Sequence, residues 1–237
     1  MPSETPRPRE HLTAAQSETM KYVLGESGFK EWDRGLLPTE FQTPPQISTR
    51  LRTLRSRSLA ENREYGMQFW WEYGNAQMVA GHEYHGEEGE TQTQNFTREL
   101  ILSERATPIV DIHTHPKQFS RDEPNNYARA QFPSDEDLSI LAETPHMVGM
   151  FIAAHSGYSC VVKTPSTLLG TAEIPDLEAL SAQEFSNNAK IQHTGVRIHR
   201  ALGGAYGVYH TLSPQSDIFQ LMRANPRHRR SYVAKAP

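Results

Sequence analysis

Apolar positions recur along this chain with two different periods. Residues 49–62 read as a helix carrying Leu51, Leu54 and Leu59 with arginines between them, and a shorter helix is expected over 14–22. Residues 1–12 are rich in Pro and charge and read as disordered. Gly25, Gly28, Gly35, Pro38, Pro44 and Pro45 mark the stretch after the first helix as irregular. Two strand-like runs follow, MQFWW (67–71) and AQMVAG (76–81), joined by EYGN, whose Gly-Asn pair is a hairpin turn signal. GHEYHGEEGE reads as a turn or exposed loop, TQTQNF alternates polar with β-branched residues, and TPIVDIHTH (107–115) is the next strand.

Downstream, Ser134 is a natural N-cap, acidic residues fill the first turn after it, and Leu138 and Leu141 share a side, so a helix starts there. HMVGMFIAAH and YSCVVKT, separated by SG, read as a buried hairpin. Residues 176–202 carry a helical pattern closed by Gly203 and Gly204, and YGVYHTL and DIFQLMR read as late edge strands. No internal repeat is evident.

The chemistry concentrates at the end of the 107–115 strand. Successive strand residues face opposite ways, so His113 and His115 point to the same side, where two imidazoles can meet one metal ion. Two ligands do not make a site, since zinc takes three or four from the protein. Asp137 offers a third from the first turn of the helix opened by Ser134; Asp135 is an alternative carboxylate. Two His and one Asp leave a fourth position for water, the arrangement of a hydrolytic site.

The series His113-x-His115-Pro116, then Pro133-Ser134-x-x-Asp137, resembles the JAMM metalloproteases of the JAB/MPN superfamily over roughly residues 60–165. The resemblance implies an α/β (α+β) fold: a curved mixed β-sheet flanked by helices, a cytidine-deaminase-like core spanning 49–169. Around it lie an irregular, partly disordered extension (1–48) and a helical one with possible edge strands and a basic tail (170–237). It also implies Zn²⁺ held by His113, His115, Asp137 and water. By the same resemblance, Glu64 is expected to act as general base and then acid, and Ser134 as donor to the oxyanion. The expected reaction is cleavage of a peptide or isopeptide bond in a protein or peptide substrate, a ubiquitin-like conjugate or precursor being one class. Glu72 repeats the Glu-Tyr-Gly context of Glu64 but falls in the expected hairpin turn. The 18 residues between His115 and Ser134 exceed the family's usual spacing and read as a substrate-gripping lid or a surface excursion.

Two other readings stay open. DIHTH also resembles the opening of metal-dependent amidohydrolases and phosphoesterases, although too little chain follows for a complete barrel of ~250 residues. A non-catalytic MPN-like scaffold module is the other. HEYH (82–85) is one residue short of the zincin pattern.

Composition narrows the setting. A formal charge of −4 and a pI near 6.3 exert no overall pull on nucleic acid, despite basic clusters at Arg50, Arg52, Arg55, Arg57 and Arg63 and at Arg223, Arg227, Arg229, Arg230 and Lys235. The single Cys160 excludes an intrachain disulfide and reads as a small buried residue. With no long apolar run, the chain is expected to be cytoplasmic and off the membrane; its oligomeric state is open.

Overall fold

In a computed structural model, the described residues are 13–72, 75–86, 106–116, 128, 130–170, 172, 175 and 191–223. The helices are α1 (Ala14–Asp33), α2 (Pro45–Glu61), α3 (Asp135–Glu143), α4 (Pro165–Leu168) and α5 (Ile191–Ala201). The strands are β1 (Glu40–Gln42), β2 (Tyr65–Glu72), β3 (Gln77–His85), β4 (Ala106–Thr114), β5 (Gly149–Ala154), β6 (Gly157–Lys163), β7 (Tyr206–His210) and β8 (Ile218–Leu221). All eight join one open mixed sheet in the order β1-β8-β7-β6-β5-β4-β2-β3.

One pairing fixes where chemistry can occur. Every neighbouring pair is antiparallel except β4 with β5, which run parallel with His113 opposite Ile152. Parallel neighbours need a crossover connection, and α3 lies within it. The chain must return from the C-terminal end of β4 to the start of β5, so the N-terminus of α3 comes back near the β4 end.

Both faces of the sheet are buried. On one, Met20, Val23, Trp32, Ile47, Leu51 and Leu54 of α1 and α2 cover Met67, Phe69, Val110, Ile112, Phe151 and Cys160. On the other, Leu138, Leu141 and Ile198 of α3 and α5 cover Met150, Ile152, Val161, Tyr206 and Val208. Val110 and Ile112 belong to the first face, so strand alternation sends Asp111 and His113 to the second, beneath α3. Burial pushes the Cys160 thiol up, as suits an inert core residue.

The structure corrects several expectations. Helix α1 continues to Asp33, because Gly25 takes a left-handed φ of 68° and lets two helical stretches join across a kink. Helix α2 begins at Pro45, a residue suited to a first turn whose N–H has no partner. Short β1, in the stretch expected to be irregular, pairs with β8, so β7 and β8 are interior and the edges are β1 and β3. The segment GHEYH completes β3 rather than forming a turn, and a strand cannot present the zincin pattern. Of the expected 176–202 helix, 191–201 is helical and 176–190 lies outside the described residues. Residues 1–12, TQTQNF, the 117–127 part of the long loop and the basic tail beyond Arg223 also lie outside them.

Part of the first basic cluster is consumed internally. Arg50 and Arg57 pair with Glu83, Arg57 also lies 4.3 Å over the Tyr65 ring, and Arg55 donates to the carbonyls of Ala154 (2.7 Å) and His155 (2.6 Å). No helix among the described residues is long and apolar enough to cross a membrane.

His210 gives the fold a pH signature. Its ring is fully buried 5.4 Å from Phe132, its Nδ1 accepts from the Leu212 N–H (2.8 Å), and burial pushes its pKa down to about 4. The unfolded chain, with an ordinary histidine near 6.5, therefore binds the extra proton between those values. Stability is full above pH ~6.5 and falls on acidification by up to about 1.4 kcal/mol per pH unit from this residue. Denaturant titrations at pH 7 and 5 should show a smaller loss in His210→Asn, whose amide oxygen can still accept from Leu212; an unchanged loss would contradict this.

Candidate metal centre

The centre begins with the two histidines of the β4 end. His113 Nδ1 lies 2.7 Å from Asp111 Oδ2, and His115 Nδ1 lies 2.9 Å from the Ala130 carbonyl oxygen. Both partners are acceptors, so each Nδ1 carries a hydrogen and donates, and in the neutral ring the lone pair lies on Nε2, the atom nearest Asp137. The rings are 5.2 Å apart, tilted by 51°. Two hydrogen bonds hold this end of the strand: the His115 N–H donates to the Ala153 carbonyl (3.1 Å), and the Tyr65 N–H donates to the Thr114 side-chain Oγ1 (2.8 Å).

Asp137 arrives through local helix chemistry. Ser134 caps α3, its Oγ accepting from the Asp137 N–H (3.1 Å), while Asp137 Oδ2 accepts from the Ser134 N–H (2.6 Å). This reciprocal capping box fixes the carboxylate over the helix entrance. There Oδ1 stands 3.3 Å from His113 Nε2 and Oδ2 stands 3.4 Å from His115 Nε2.

These groups fit a divalent metal ion. The three ligand atoms all lie within 4.8 Å of one another, and no other such group occurs among the described residues. Around a tetrahedral zinc with ligands at 2.0–2.2 Å, neighbouring donors sit roughly 3.3–3.6 Å apart, which is the spacing of both His–Asp pairs. His113 Nε2 is moreover a fully buried polar atom without a hydrogen-bond partner, although the Asp137 oxygen is near. A buried lone pair facing a carboxylate is poorly placed unless a cation joins them.

The electrostatics agree. Burial opposes charge on His113, yet Asp137 and Asp111 outweigh it and hold the imidazole well above its ordinary value. Burial likewise opposes ionisation of Asp137, but His113 and His115 hold it well below the usual carboxylate range. Both shifts favour positive charge between the imidazoles and the carboxylate, the charge that a divalent cation would bring.

The remaining expected residues distribute as follows. Glu64 is half-buried directly before β2, and its backbone carbonyl accepts from the Gly86 N–H (3.2 Å). Gly66 is paired with His113, and the Tyr65 N–H donates to Thr114 Oγ1, so the chain enters β2 next to the end of β4. The Glu64 carboxylate, with those of Asp111 and Asp137, acts on the Tyr84 hydroxyl. Glu72 sits at the opposite end of β2, roughly 20 Å along the strand from Gly66, and is tied to Asn75 and Gln77. Asp135 does not join the ligand group. Of the long loop, Ala128, Gln131 and Phe132 are buried, and the Gln131 side-chain oxygen accepts from the Ser156 N–H (2.8 Å).

Two supporting residues escaped the sequence reading. Asp111, noticed only as part of DIHTH, orients His113. Tyr84 donates its hydroxyl to Asp111 Oδ1 at 2.9 Å, and burial together with the neighbouring carboxylates raises its pKa well above 10, so it remains a donor. An i, i+2 spacing on a strand hints at Asp111; nothing local hints at Tyr84.

No protein-family model matches the chain, and a search of curated proteins finds no match.

After loading with zinc and dialysis, wild-type protein should retain about one equivalent, His113→Ala and Asp137→Ala little, and Asp135→Ala the wild-type amount. Elemental analysis decides between the two carboxylates; loss of metal in Asp135→Ala with retention in Asp137→Ala would reverse the assignment. Asp137→Ala should also cost about 1 kcal/mol through the broken cap.

Proposed function

We propose that the chain is a zinc-dependent hydrolase that cleaves a peptide or isopeptide bond, as its resemblance to the JAMM metalloproteases implies. The observation that carries this reading is the convergence of His113, His115 and Asp137 with both Nε2 lone pairs turned toward one carboxylate. Three protein ligands leave a coordination position open, which suits a catalytic rather than a structural ion.

Bound zinc supplies a Lewis acid and brings the pKa of water down to about 7. The chain's own groups do the rest. His113 and His115 contribute neutral nitrogens in fixed tautomers, while Asp137 contributes the negative charge. Glu64 accepts a proton from the attacking water and returns it to the leaving amine, so the proton is conserved through the cycle. The lone pair of Ser134 Oγ is engaged by the Asp137 N–H, which leaves its hydroxyl hydrogen available for the oxygen that gains charge on the scissile carbonyl.

The substrate class is a protein or peptide, including ubiquitin-like conjugates and precursors. The amidohydrolase reading draws no support from an open, largely antiparallel sheet, because that reading needs a closed barrel of parallel strands.

Zinc-loaded protein should cleave ubiquitin-like C-terminal fusions or isopeptide-linked conjugates. Glu64→Gln should retain the metal and lose activity by roughly 10²–10⁴-fold. Ser134→Ala should lose roughly 10²–10³-fold, beyond a cap loss of about 1 kcal/mol visible in denaturation. Full activity in Glu64→Gln would remove the proposed base, and a metal-loaded wild type that hydrolyses phosphate esters but no amide would favour the phosphoesterase alternative.

A further inference from the structure

Tyr84 is on β3, two strands away from β4, yet its hydroxyl reaches Asp111 Oδ1 at 2.9 Å. The intervening β2 position is Gly66, which is paired with Tyr84 on one side and His113 on the other. A Cβ built on Gly66 would meet the Tyr84 ring at 2.2 Å and its hydroxyl oxygen at 2.3 Å. The missing side chain is therefore the space in which the phenol crosses the strand. At the far end Asp111 spends its other oxygen, Oδ2, on His113 Nδ1 at 2.7 Å. Both ends of the carboxylate are thus committed, one to a donor that holds it and one to the imidazole it orients.

We propose that Tyr84 and Asp111, linked across Gly66, form a positioning pair that sets the tautomer and orientation of His113 and thereby tunes the affinity of the centre for its metal. The assignment rests on the metal-centre reading. Its physical basis is general: a carboxylate that accepts from the distal nitrogen of a ligating histidine fixes the ring and raises the basicity of the ligating nitrogen. Tyr84 adds one link, since a carboxylate pinned by a second donor keeps its remaining oxygen aimed at the imidazole. Neither residue need touch substrate, so neither is a catalytic residue.

Zinc dissociation constants, measured by chelator competition on the full chain, test this directly, with the visible spectrum of the Co²⁺-substituted protein as a second readout. Asp111→Asn should weaken zinc binding roughly 10–100-fold. Tyr84→Phe, which removes only the hydroxyl, should weaken it less, and should add little once Asp111 is already Asn. Gly66→Ala should reproduce Tyr84→Phe by displacing the ring, and the Co²⁺ bands should move in all three. A merely structural role would instead lower the melting temperature without altering zinc affinity or the Co²⁺ bands. Wild-type zinc affinity in Tyr84→Phe overturns the pair while leaving the metal centre standing. A wild-type chain that takes up no zinc overturns the metal centre and the pair with it.

Discussion

The parallel pairing of β4 with β5 is the constraint from which the site follows. In a sheet otherwise built of antiparallel neighbours, it obliges the chain to leave the end of β4, cross over and re-enter alongside. The crossover contains α3, whose N-terminus meets the C-terminal end of β4. The histidines stand on the strand end, and the carboxylate stands in the first helical turn. Neither element alone can assemble the group; the connection between them does. The helix start leaves backbone N–H groups in need of acceptors; Ser134 Oγ answers that of Asp137, and the Asp137 carboxylate answers that of Ser134 while facing the imidazoles.

Around that junction, each part of the site is held by the protein's own hydrogen bonds. Asp111 and the Ala130 carbonyl fix the imidazole tautomers, and the capping box fixes Asp137. Arg55, from α2 on the opposite face, grips the carbonyls at the end of β5, and Gln131 binds the turn that follows. Such preorganisation leaves little to be ordered when an ion binds, and explains why both imidazoles already stand 3.3–3.4 Å from the Asp137 carboxylate in the protein itself.

The candidate ligand group was legible in the sequence because each member obeys a short-range rule. His113 and His115 share a face through the two-residue period of a strand, and Ser134 and Asp137 announce a helix start through capping chemistry. The buried β5–β6 hairpin was legible for the same kind of reason, being two apolar runs around a turn. What sequence reading missed is nonlocal or permissive. Tyr84 joins the site only because Gly66 has no side chain, a fact about a cross-strand neighbour 18 positions away in the chain. Gly25 reads as a helix breaker but is used as a kink within α1, and β1 is a strand only by virtue of β8, far along the chain. Glu64 is intermediate: its place before β2 follows from the pattern, and the approach of that strand start to the β4 end follows from a pairing that no single strand reveals.

The most direct test is X-ray absorption at the zinc edge of the metal-loaded, full-length protein. The account predicts one ion whose inner shell contains two imidazole nitrogens and carboxylate oxygen at about 2.0–2.2 Å, with the outer-shell pattern of two histidine rings and its loss of one ring in His115→Ala. A bound ion with no imidazole in its shell, or the same spectrum in wild type and His115→Ala, would contradict it.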